Sequence, residues 1–162
     1  MKKTVTDERD RDDYRPFNLQ LRLPPLPRSA RTGRDALAAL AGFLDVAPAD
    51  IESLTFALGE ALANAIEHAG GDAEIEVSVT IDARTIVATV RDKGRGFTDP
   101  PGELLPFPEV SAEGGRGFPI MQRCTDFFDV RTHPGDGTVV TLGRRRRDRS
   151  QDGLTGGFAR RP

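Results

Sequence analysis

The chain has 162 residues but one cysteine, no tryptophan, one tyrosine and two histidines. A lone cysteine, Cys124, cannot form an internal disulfide, so the expected compartment is a reducing cytoplasm. One Cys with His68 and His133 far apart gives no basis for a structural zinc site. No run approaches the roughly 18 apolar residues of a membrane helix, and Met1-Lys2-Lys3 leads into mixed charges rather than a secretory signal. Two nucleotide-binding signatures are absent as well. No Gly-x-x-x-x-Gly-Lys-Ser/Thr loop occurs, and no Gly-x-Gly-x-x-Gly fingerprint, which argues against Walker-type and dinucleotide folds.

What the chain has is 37% hydrophobic and 30% charged residues, with 17 Gly and 12 Pro, enough for one globular domain with irregular segments. The net charge of -2 conceals a partition. Segment 1–15 holds five residues of each sign, and segment 144–162 holds seven Arg against two Asp. The body, 16–143, is left with eleven basic and eighteen acidic residues, which argues against a DNA-reading surface. The run Arg144-Arg145-Arg146-Arg147 reads as a solvated tail, with contact to nucleic acid or an acidic partner as the alternative. The expected organisation is a disordered extension over 1–15, one domain over 16–147 and a disordered basic tail over 148–162.

Between the tails the periodicity is clear. Apolar residues fall on odd positions from Phe17 to Leu23, a half-buried strand ended by Pro24, Pro25 and Pro27. The pattern predicts a helix from about Thr32 to Leu44. A second runs from Pro48 to about Ala69, with Ile51, Leu54, Leu58, Leu62, Ala65, Ile66 and Ala69 on its apolar face, and Gly70-Gly71 stops it. Alternation predicts strands over 73–81 and 85–92, then a short helix over 118–124. A last hairpin pairs 127–132 with 138–142 across a Gly-rich turn. The fold class is α+β: a two-layer sandwich with a mostly antiparallel sheet covered on one face by helices.

Three clusters carry candidate chemistry. On the second helix, Glu60, Asn64 and His68 recur at a spacing of four, so they stand in one row, a turn apart, away from the apolar stripe. Such a row is either a solvated face or a working one. A carboxylate can take a proton from an attacking hydroxyl, and an amide oxygen can hold a metal that bridges phosphates. Ala57, Ala61 and Ala63 beside the row leave room for something bulky to dock. His68 reads more readily as a structural group than as a catalyst. Asp92-Lys93-Gly94-Arg95-Gly96 directly follows a strand. It is either an ordinary turn or an acceptor for an exocyclic amine such as that of adenine, with glycines that admit a flat ring. Gly114-Gly115-Arg116-Gly117 feeds a helix N-terminus, an anion site to which Arg116 adds charge. Between the last two lies 98–113, with four prolines, either a lid or a disordered insert.

In order and on these elements, the residues resemble the GHKL ATPase superfamily. Glu60-x-x-x-Asn64 is similar to its helix-borne box, Asp92-x-Gly94-x-Gly96 to its first glycine box, Gly115-x-Gly117 to its second, and Gly137-Thr138 to its closing Gly-Thr box. The size and the Gly-Arg-Gly-Phe-Pro-Ile-Met run look most like bacterial anti-sigma-factor serine kinases. The resemblance implies a Bergerat-type ATP-binding fold that uses ATP and Mg²⁺ to phosphorylate a serine of an anti-anti-sigma (STAS) protein. It also implies sequestration of a sigma factor and a homodimer through the sheet. By the same resemblance Glu60 is the general base, Asn64 the Mg²⁺ ligand and Asp92 the adenine contact. Gly94 and Gly96 line the base, Gly115 and Gly117 close on the phosphates, Arg116 reaches the γ-phosphate and Thr138 supports the adenine end. A nucleotide-gated binding module without phosphotransfer is the alternative. A sensor-kinase half is not expected, because neither His68 nor His133 fits a phospho-accepting position.

Overall fold

A computed structural model describes residues 15–44, 46–96 and 117–147. Eight elements follow in chain order: β1 (Phe17–Leu23), α1 (Pro27–Phe43), α2 (Pro48–His68), β2 (Ile75–Ile81), β3 (Thr85–Asp92), α3 (Gly117–Cys124), β4 (Phe127–His133) and β5 (Gly137–Arg145). The five strands form one sheet in the order β1-β2-β3-β5-β4, antiparallel at every pairing. The α+β sandwich expected from periodicity is what forms. The expected extension over 1–15 and tail over 148–162 lie outside the described residues, apart from Arg15.

Register explains which sheet face is covered. Val77 pairs with Val90, Val79 with Ala88 and Ile81 with Ile86, while Val90 and Ala88 pair in turn with Val140 and Leu142. Cross-strand partners share a face, so this set forms one continuous apolar surface, and all of it is buried. Helix α2 lies on it, packed between α1 and α3. Leu54, Leu58 and Leu62 of α2 are fully buried there. We expect Leu62→Ala to cost about 2–5 kcal/mol of stability, measured by urea unfolding, because it removes methyl groups from a filled core.

Helix α1 begins five residues before the expected Thr32. Pro27 occupies its first turn, where the missing N–H costs nothing, instead of merely ending the strand. The Ser29 hydroxyl donates to the Pro24 carbonyl at 2.7 Å, and the Ser29 N–H donates to the Leu26 carbonyl at 2.8 Å, which folds the entry. Gly33 sits inside α1 because a methyl group there would lie 2.5 Å from Leu62 Cδ1. The glycine lets the two helices cross closely.

The larger correction concerns the arginine run. Strand β5 extends to Arg145 rather than stopping near Leu142, and the four arginines are not a solvated tail. Arg144, 12% exposed, approaches the fully buried Asp50 carboxylate at 3.5 Å and Asp126 at 3.7 Å. Arg147 donates its main-chain N–H to Asp50 Oδ2 at 2.9 Å and brings its Nε to 3.3 Å from Oδ1. The Arg145 guanidinium stands 5.0 Å from the centre of the Phe127 ring, and Arg146 donates to the Asp82 carbonyl at 2.7 Å. Asp82 itself closes the β2–β3 turn. Burial pushes its carboxyl pKa up, but hydrogen bonds from the Arg84 N–H and from the Thr85 hydroxyl and N–H, with the Arg146 charge, outweigh this and hold it below the ordinary value.

Candidate functional site

Between α2, the ends of β3 and β5 and the start of α3 lies a cavity of about 850 Å³. Its base is apolar, formed by the cross-strand pair Val90 and Val140. Two residues further along the same face stand Asp92 and Thr138, also paired across the strands and also buried. Asn64 and His68 line it from α2, Gly117 and Phe118 from α3, and Arg95 and Gly96 from the turn after β3.

Asp92 is held by its own turn. The Gly94 N–H donates to Asp92 Oδ1 at 2.8 Å, the bond that makes an Asx turn. Among the described residues no donor reaches Oδ2, and that oxygen is not sealed from the cavity. Gly137, at φ +81°, packs against the Asp92 carbonyl where a side chain would collide with it. Thr138 follows, and its hydroxyl lies 3.4 Å from that of Thr132, which donates to the Gly137 carbonyl at 3.2 Å. The expected Gly-Thr pair therefore braces the Asp92 main chain from the neighbouring strand.

Gly94 and Gly96 divide the work expected of both. Gly96, at φ +64°, lines the cavity. Gly94 does not: it lies beneath the C-terminal end of α2, against the His68 carbonyl, where any side chain would clash. Its part is to seat Asp92 and to let α2 approach. Gly70 makes the reciprocal contact, a methyl group there falling 2.8 Å from the Lys93 carbonyl.

At the other end, a methyl group on Gly117 would sit 3.0 Å from Asn64 Nδ2 and 3.2 Å from Oδ1. The start of α3 thus closes directly over the Asn64 amide, which makes no hydrogen bond among the described residues. Of the small residues flanking the helix row, Ala57 and Ala61 are buried, Ala63 is exposed, and it is α3 that packs on α2. Glu60 is half-buried one turn before Asn64 but is not part of the described cavity wall. Its charge acts on the Cys124 thiol of α3. Burial pushes the Cys124 pKa up, Arg144 pulls it down, and Glu60 adds to the rise. Gly115, Arg116 and the segment 98–113 lie outside the described residues.

No group of three or more His, Cys, Asp or Glu able to hold a metal occurs among the described residues. A lone amide oxygen at Asn64 fits a cation that arrives bound to phosphate oxygens, the way Mg²⁺ is usually held, rather than a resident metal. Also among the described residues, no helix is long and apolar enough to cross a membrane.

The chain is similar to known proteins. Residues 23–144 match the model of the histidine kinase-like ATPase domain. The anti-sigma F factor of Pasteuria penetrans is 34% identical over 116 residues, covering 67% of this chain and 77% of that protein. The anti-sigma F factor of Bacillus subtilis is 27% identical over 131 residues, 76% of this chain and 89% of its own length. A solved structure of the RsbU and RsbW domains of a Mycobacterium tuberculosis protein superposes with a TM-score of 0.62 at 22% identity. That match spans 82% of this chain and 33% of the mycobacterial one, a likeness of fold. With three quarters of its length matched to the family model, the chain belongs to the histidine kinase-like ATPase domain family.

Proposed function

We propose that the protein binds ATP in this cavity, acts as an anti-sigma factor, and phosphorylates a serine of an anti-anti-sigma (STAS) partner. The observation that carries the reading is the meeting of Asp92, Thr138, Asn64 and Gly117, from four separate elements, around one apolar-floored cavity. Asp92 Oδ2 is an acceptor suited to the exocyclic amine of adenine, and Val90 and Val140 offer the flat apolar surface a purine needs. Asn64 and the start of α3 face the triphosphate end, where the unpaired N–H groups of a helix N-terminus favour negative charge. Gly115 and Arg116, immediately before α3, would extend that anion site.

Phosphoryl transfer asks little covalent work of the protein and much positioning. Asn64 would hold Mg²⁺ through its amide oxygen, and the ion when bound would neutralise charge on the phosphates. Glu60, one turn earlier on the same rigid helix, would take the proton from the attacking serine hydroxyl. The anti-sigma role draws support from the names of the curated relatives, which this chain matches over most of their length. A cytoplasmic homodimer accords with it, the exposed edge strand β1 offering unpaired main-chain groups.

A test at the adenine end is specific. Asp92→Asn replaces an acceptor by an amide that presents donors to the amine, so the affinity for ATP should fall at least about tenfold while that for GTP changes little. Calorimetry with both nucleotides measures this. Equal binding of ATP and GTP by the unaltered protein would overturn the assignment of Asp92.

A further inference from the structure

Two charged side chains that line the cavity, Glu67 and Arg95, have no part in that scheme, and Arg95 is the cation. Arg95 lines the cavity, is exposed, and has no hydrogen-bond or ion-pair partner for its guanidinium among the described residues. Its main chain, by contrast, is fixed. The Gly135 N–H donates to the Arg95 carbonyl at 2.7 Å, which ties the turn to the β4–β5 connection, and Gly96 beside it takes a left-handed conformation at φ +64°. A pinned backbone carrying an unpaired, permanently charged head at a cavity mouth is an arrangement that a ligand can complete.

The contacts of the turn decide which part of a ligand Arg95 meets. Gly94 lies against the His68 carbonyl and Gly70 against Lys93, so the turn is docked on the C-terminal end of α2. His68 is four residues past Asn64, about 6 Å along the helix at about 1.5 Å per residue. Arg95 is also only three residues past Asp92. It therefore belongs to the Asp92 end of the cavity, away from the Asn64 and Gly117 end proposed for phosphates. At that end the apolar pair Val90 and Val140 supplies one surface for a flat ring. A planar guanidinium is weakly hydrated and stacks well on aromatic faces and on nucleobases.

We infer that Arg95 lays its guanidinium over the solvent-facing side of the purine, opposite the valine surface, and so sets affinity for the base. The inference rests on the adenine-nucleotide reading above. It is tested with three variants, Arg95→Ala, Arg95→Tyr and Arg95→Lys, each titrated with ATP and with ADP by calorimetry. A cation–π contact at such a site corresponds to about a 3- to 30-fold loss in the alanine variant, equal for ATP and ADP. Tyrosine keeps a flat surface without charge and should recover most of the affinity, whereas lysine keeps charge without a plane and should stay near alanine. The reverse order, with lysine restoring and tyrosine not, would place Arg95 on the phosphates and overturn the inference. So would an alanine variant that binds as the parent does. Failure of the unaltered protein to bind either nucleotide would instead overturn the adenine-nucleotide reading itself, and the two failures are thereby distinguished.

Discussion

Glu60→Gln should retain ATP affinity within about twofold while transfer of phosphate to a STAS serine falls by about two orders of magnitude or more, the usual scale for a general base. The substitution preserves shape and half-burial and removes only the capacity to accept a proton. Glu60 lies one turn from Asn64 on the same helix yet outside the described cavity wall, so the two roles proposed for α2, holding nucleotide and removing a proton, should separate in this variant. The measurement is phosphoserine formation with saturating ATP and Mg²⁺, set beside a calorimetric titration of the same variant. If affinity falls in parallel with rate, the residue holds nucleotide and is not the base. If the unaltered protein yields no phosphoserine but changes its partner affinity with ATP, the protein is a nucleotide-gated binding module and Glu60 has no transfer role.

Periodicity makes much of this site legible in the sequence. The alternation that bounds a strand at 85–92 matches β3 end for end, and with it the position of Asp92 at a strand terminus. The glycine stop at Gly70-Gly71 ends α2 within a residue of His68. A helical wheel gives azimuth but not what covers each side. It sets Ala57 and Ala61 beside the Glu60 row and cannot tell that both are buried, nor that Asn64 lines the cavity while Glu60, a turn earlier, does not. The division of labour between Gly94 and Gly96 is hidden for a related reason. A glycine needed for close approach and one needed for an open wall look alike in sequence, and only the position of the His68 carbonyl separates them.

The arginine run misleads because its partner is remote. Four like charges in a row resemble a solvated tail, and the residue that contradicts this, Asp50, lies 94 positions from Arg144. The consequence is a large expected loss. Asp50→Asn should destabilise the protein by about 3–5 kcal/mol, since it takes the fully buried counter-charge from Arg144, 12% exposed and with a buried Nε already unpaired, and leaves it only the partly exposed Asp126 at 3.7 Å. Urea unfolding of the variant measures the loss, and a change under about 1 kcal/mol would mean that the pair is no stronger than a surface one. Replacing both, Asp50→Leu with Arg144→Met, should recover part of the stability, because two apolar groups carry no desolvation penalty while the Arg147 main-chain N–H and Asp126 each lose a partner. Both variants keep the β3 and β5 ends that hold Asp92 and Thr138, so ATP affinity of the folded protein should stay within about twofold. The pair fixes the N-terminal end of α2 to the last strand, about four turns from Asn64 at roughly 3.6 residues per turn, and its contribution is to the fold rather than to the nucleotide. A variant that unfolded readily yet bound ATP normally when folded would establish that separation. A variant that kept its stability but lost ATP would refute it.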